Sequence, residues 1–186
     1  MRAFVAIPIP DAVKEEIRLF YRKFGVVRGV KMVIPENLHI TLDFLGDITQ
    51  REVDTFSANL ETLAKDTEPF KISIKGVGAF PSRKDPKILW IGMENNQPLK
   101  KLAAKVKIAV DSMDDKKFSP HLTVGRVKYK SDDQKDFYDH FFSQDHRKFG
   151  EFVVDHFQLM KSDLSGKDPI YTVIRDFKLS GGKSSG

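Results

Sequence analysis

The sequence predicts an α+β fold with largely antiparallel sheets. Three observations carry that prediction: helical and strand patterns follow one another as β α β β α β β α β α β β, several neighbouring strands read as hairpins, and the second half repeats the plan of the first. A doubly wound parallel sheet would need a helix between nearly all successive strands. With 186 residues, 40% of them hydrophobic and 11% aromatic, the chain is one large domain or two small lobes with a sizeable core.

Residues 2–9 read as a buried strand. Asp11 is placed to cap a helix whose apolar Val13, Ile17, Phe20, Tyr21 and Phe24 share a face, before Gly25 stops it. Val30 to Ile34 reads as a short strand, and Pro35-Glu36-Asn37 as a turn. Leu38 to Gly46 then alternates strictly, with Leu38, Ile40, Leu42 and Phe44 on one face and His39, Thr41 and Asp43 on the other. Thr49 and Glu52 make a capping box for a helix through Val53, Phe56, Leu60 and Leu63 that ends near Lys65. Phe70 to Lys75 alternates, Gly76 and Gly78 suggest a bulge, and Ile88 to Met93 returns as the other arm of a hairpin. Pro98 opens a helix with Leu99, Leu102, Val106, Ala109 and Val110 inward and Lys100, Lys101, Lys105 and Lys107 on a solvated face. Ser119 to Val127 is an alternating strand, and Asp132 caps a helix carrying Phe137, Phe141 and Phe142. Two long strands, roughly 150–160 and 169–179, finish the fold. The domain spans 1–179, and the Ser- and Gly-rich 180–186 reads as a flexible tail.

The chain has no cysteine, which excludes disulfide scaffolds, cysteine-bound metal centres and thiol nucleophiles. No apolar run approaches the roughly 20 residues of a membrane span, and the apolar start, broken by Pro8, is too short for a signal sequence. A cytoplasmic location and no membrane partner are expected. The 31 basic and 26 acidic residues leave a net +5, a bias toward polyanions that makes nucleic acid a candidate partner. Few Asn and Gln beside abundant Lys and Glu fit a heat-adapted source.

Chemistry is signalled by a repeated phrase. Two of the 5 histidines open the same pattern, His39-Ile40-Thr41-Leu42 and His121-Leu122-Thr123-Val124, each on an expected strand. An apolar-Thr-apolar sequel to a given His arises about once in a hundred by composition, so a chance pair is strained. Alternation puts His and Thr of each phrase on one face while the apolar residues anchor the other. Two such strands, brought together, make a cleft with two imidazoles flanking two hydroxyls. One imidazole can take a proton from water, the other can give one to a leaving oxygen, and the hydroxyls can hold phosphate oxygens. That scheme for phosphoryl transfer requires no metal and no cofactor. Arg126, five residues after His121, points away on an ideal strand, and a bend at Gly125 would return it to the phosphate. A metal reading of His39, His121 and Asp43 lacks the closely spaced ligands that mark such sites. His140, His146 and His156 read as surface or core histidines.

The sequence resembles the two-histidine phosphoesterases, and within them the RNA 2′,3′-cyclic phosphodiesterases first named 2′-5′ RNA ligases. The resemblance covers nearly the whole chain: Arg2 to Ile7, Pro35 to His39, Phe44-Leu45-Gly46, Gly78 to Pro81 with Leu89 to Gly92, and Ser119-Pro120-His121 match the family's habits alongside both phrases. It implies a bilobal, pseudo-twofold fold with one motif strand from each lobe in a central basic cleft. It further implies His39 as general acid, His121 as general base, and Thr41, Thr123 and Arg126 as phosphate-binding groups. The substrate implied is an RNA 2′,3′-cyclic phosphate end, tRNA-like fragments included, opened to a 2′-phosphate by a monomer, with 2′-5′ ligation as the reverse chemistry. The competing reading is a module that holds RNA ends or nucleotides in the same cleft without turnover.

Overall fold

The structure, a computed structural model, describes residues 1–181. Its elements follow the expected order, with one strand more than expected: β1 (Arg2–Pro8), α1 (Asp11–Arg22), β2 (Val30–Met32), β3 (His39–Asp47), α2 (Gln50–Lys65), β4 (Phe70–Pro81), β5 (Pro86–Glu94), α3 (Gln97–Ala109), β6 (Leu122–Val127), α4 (Lys135–Phe142), β7 (Lys148–Val154), β8 (His156–Asp163) and β9 (Ile170–Lys178). Among the described residues the strands form two antiparallel sheets, β3-β1-β8-β9 and β2-β6-β5-β4-β7.

The chain draws the same figure twice. After β1, helix α1 crosses to pack on β7 of the other sheet, and β3 returns to pair with β1. After β5, helix α3 crosses to pack on β3 of the other sheet, and β6 returns to pair with β5. The two phrase-bearing strands are therefore equivalent members of a pseudo-twofold α+β fold, and they meet between the sheets. Buried apolar residues from both lobes, including Phe20, Phe141 and Phe149 of one and Phe157 and Phe177 of the other, form a contiguous core.

Local chemistry explains the boundaries. The capping box forms as expected: the Glu52 N–H donates to Thr49 Oγ1 at 3.2 Å and the Thr49 N–H donates to Glu52 Oε2 at 2.7 Å. Asp11 is not the cap of α1; it is the first helical residue, Pro10 holds the cap position, and the Asp11 carboxylate sits where the helix dipole favours it. The expected strand 150–160 is two strands. Val154 and Phe157 are both buried although they lie three apart, which one continuous strand would forbid. The chain changes sheets at Asp155, whose carbonyl accepts the Leu179 N–H at 2.8 Å, with no Gly or Pro to advertise the crossing. Ser180 and Gly181, expected in the tail, are tied to the end of α2 by N–H bonds to the carbonyls of Ala64 at 3.2 Å and Thr67 at 2.9 Å. The rest of that expected tail, 182–186, lies outside the described residues.

Gly78 is required by packing. A Cβ there would lie 2.2 Å from the Trp90 indole, which is rigid and braced by Phe80 at 5.5 Å between ring centroids. Gly78→Ala is expected to destabilise the fold by about 2 kcal/mol through overpacking. Thermal unfolding of the variant should show Tm lowered by about 4–8 °C for a chain of this size.

Candidate active site between the lobes

His39 is the first residue of β3, and His121 immediately precedes β6. The expected strand from Ser119 thus starts three residues later, and both imidazoles stand at the mouths of their strands. Each ring is held the same way. His39 Nδ1 lies 2.8 Å from the Asn37 carbonyl and His121 Nδ1 lies 2.7 Å from the Ser119 carbonyl, in both cases two residues back. A carbonyl only accepts, so each Nδ1 carries a hydrogen and each Nε2 is left as the atom that gains or loses a proton.

Strict alternation fails at the same place in both phrases. On β3, Val5 pairs with Asp43 but Ala6 pairs with Thr41, so Leu42 is an extra, bulged residue. On β6, Leu89 pairs with Gly125 but Trp90 pairs with Thr123, so Val124 is bulged. Leu42 and Val124 are the fourth residues of their phrases. The bulge reverses the facing of the residues just after it, which brings the fifth residue beyond each histidine back into the cleft: Phe44 on one wall, Arg126 on the other. Arg126 therefore reaches the site without depending on a bend at Gly125 alone. Two expectations are corrected by the same bulge. Phe44, expected in the core, is 64% exposed, while Asp43, expected beside His39 and Thr41, is 3% exposed and outside the cleft wall. Asp43 is accordingly not placed to complete a metal set with the histidines.

The cleft has a volume of about 480 Å³ and is lined by His39, Thr41, His121, Thr123 and Arg126, with Phe4 beneath and Lys31, Lys128 and Arg2 around it. All five residues expected to carry the chemistry are brought together. Burial is the main cause that lowers the pKa of both imidazoles. The carbonyl bonds oppose that shift, whereas the Arg126 guanidinium adds to it at both rings, and His121 adds to it at His39. An aromatic edge backs each imidazole: Phe80 meets His121 at 4.9 Å and 88°, and Tyr171 meets His39 at 5.1 Å and 87°.

Sequence reasoning missed Phe44, Phe80 and Tyr171. Comparing the fifth residue after each histidine could have found Phe44; nothing in the local pattern marks the other two. Of the lysine run on α3, Lys100, Lys101 and Lys105 are solvated, but Lys107 Nζ donates to the carbonyls of Asp114 at 2.9 Å and Lys116 at 2.8 Å and so holds the loop that leads to His121. His140 and His146 are exposed and His156 is half-buried on β8, all outside the cleft wall.

Paired imidazoles and hydroxyls on duplicated strands, facing a cationic hollow, define a phosphoesterase of the two-histidine kind. The family described as LigT like Phosphoesterase matches residues 7–90. An RNA 2′,3′-cyclic phosphodiesterase of Archaeoglobus fulgidus is 39% identical over 96% of this chain and 100% of its own length. One from Methanocaldococcus jannaschii is 37% identical over 95% of this chain and 100% of its own. A crystal structure from Thermus thermophilus superposes with a TM-score of 0.83 at 31% identity, covering 97% of this chain and 99% of that one. The chain belongs to the LigT-like phosphoesterase family. No helix among the described residues is long and apolar enough to cross a membrane.

Proposed function

We propose that this protein is an RNA 2′,3′-cyclic phosphodiesterase that opens terminal cyclic phosphates to 2′-phosphates. The observation that carries the reading is the pair of Nδ1-anchored imidazoles sharing one cleft with Arg126. His121 Nε2 takes a proton from water as the water oxygen bonds to phosphorus; the bond from phosphorus to the 3′ oxygen breaks, and His39 Nε2 gives that oxygen a proton. Thr41 and Thr123 hydroxyls and the Arg126 guanidinium hold the non-bridging oxygens as charge builds. Each proton and charge is handled by a side chain, so the scheme calls for no metal. The order of acid and base follows the family resemblance. A 5′-hydroxyl in place of water would join two strands 2′-5′, and hydrolysis dominates because water is in excess. The site is complete within one chain, which supports a monomer acting on RNA ends, and the curated relatives above carry the name of this activity.

Phe44 offers the exposed apolar face on which the terminal nucleobase stacks. Loss of one stacked base is worth about 1–3 kcal/mol, so Phe44→Ala is expected to raise KM about tenfold and to change kcat less than about threefold. Steady-state kinetics on a short cyclic-phosphate RNA reads both.

The direct test is turnover of a short RNA ending in a 2′,3′-cyclic phosphate with EDTA present, with the product isomer identified. A 2′-phosphate is expected. Tight binding without turnover would overturn the reading in favour of a module that only holds RNA ends, and loss of turnover on adding chelator would overturn the metal-free scheme.

A further inference from the structure

Tyr171, near the start of β9, directly follows the segment that reaches across to β2 of the other sheet. That segment is a strap formed by the loop between β8 and β9. Lys31 of β2 fastens it by donating from Nζ to the Lys167 carbonyl at 2.8 Å and pairing with the Asp168 carboxylate at 2.6 Å. Asn37 fastens it next to the site: its Nδ2 donates to the Pro169 carbonyl at 2.9 Å, while its own carbonyl accepts the His39 Nδ1–H at 2.8 Å. Two residues beyond Pro169, the Tyr171 ring stands edge-on to His39 and also packs on Phe4 at 5.2 Å. Asn37, Tyr171 and, at 4.9 Å between ring centroids, Phe4 thus contact the His39 imidazole, and Pro169 links Asn37 to the strand that carries Tyr171.

We propose that Tyr171 is a positioning residue for His39, its ring edge fixing the plane of the imidazole so that Nε2 stays aimed at the leaving oxygen. The inference rests on the proton-transfer role proposed for His39. At His121 the equivalent ring is Phe80 of β4, two strands from β6 in its sheet, as Tyr171 of β9 is three strands from β3 in the other, but among the described residues only Tyr171 adjoins a fastened strap. The two phrases are near-equivalent in sequence, and what backs each histidine is where the two halves of the site differ. The titratable and charged groups that face His39 are Tyr171 from β9 and His121 and Arg126 from beside and within β6. Burial holds the Tyr171 phenol above its usual range, against a smaller pull from Arg126, so it is neutral at working pH and acts through packing.

The test compares Tyr171→Phe and Tyr171→Leu in the full chain. Removing the ring is expected to lower kcat about tenfold with KM held within about twofold, while the phenylalanine variant stays within about twofold of the parent in both. In the free protein, NMR titration of the ring signals should show the His39 pKa rising toward its ordinary value in Tyr171→Leu, because the smaller side chain leaves that ring less buried, with a smaller change at His121, which feels the substitution only through its coupling to His39. Unchanged kcat and titration in Tyr171→Leu would overturn the proposal. Tyr171→Phe falling as far as Tyr171→Leu would also overturn it, since the hydroxyl would then be the acting group. Activity surviving in His39→Ala would instead defeat the proposed function, and the titration reads the Tyr171 contact independently of that outcome.

Discussion

His39→Ala and His121→Ala are each expected to lower turnover of a cyclic-phosphate RNA by about 10²–10⁴-fold, the range that one positioned proton-transfer group contributes. The two rings act in one concerted exchange, so the double variant should lose little more than either single one. A substrate whose leaving group needs no proton, such as a nitrophenyl phosphodiester, separates the roles: it should restore most of the rate to His39→Ala and none to His121→Ala. Rescue of His121→Ala would reverse the assignment. The pH dependence follows from the surroundings of the rings. Burial and the nearby guanidinium push both imidazoles down, so the kcat/KM bell should centre below the ordinary value of about 6.5. A bound phosphate anion favours both imidazoliums, so the kcat bell should lie at higher pH than the kcat/KM bell. The two limbs belong to the coupled pair and not to one histidine each.

Much of this was legible because helices and strands announce themselves through period and caps. Val53 and Leu60 fall on the buried face of α2, behind a capping box visible in Thr49 and Glu52. The two phrases named both histidines and both threonines. What the sequence hid was the register. A bulge inserts one residue without any special side chain, since Leu42 and Val124 look like ordinary strand residues. An alternation rule carried past them assigns Asp43 and Phe44 to the wrong faces. The strand change at Asp155 was hidden for a related reason, because a single residue separates β7 from β8 and only the phase of burial shifts. Tyr171 lies 132 residues from His39 in sequence, and its contact with that ring depends on sheet order and on the strap. Local pattern sees neither.

Arg126→Ala is expected to lower kcat/KM by about 10²–10³-fold, the loss typical of removing one donor from a charge-stabilising site. A second effect separates this role from a structural one. The guanidinium depresses both imidazoles, so its removal should lift both pKa values and carry the kcat/KM bell to higher pH. Arg126→Lys retains the positive charge but not the planar fork that grips two phosphate oxygens. It should therefore keep the bell near its original position while recovering only part of the lost rate. Binding should become less salt-sensitive in the alanine variant, with the slope of log K against log salt reduced by about one. An Arg126 that served only the strand would change none of these, because its side chain is exposed and makes no ion pair among the described residues. A bell that stays in place in Arg126→Ala would mean that the guanidinium does not face the histidines in solution, and with it the bulge at Val124 would lose its functional reason.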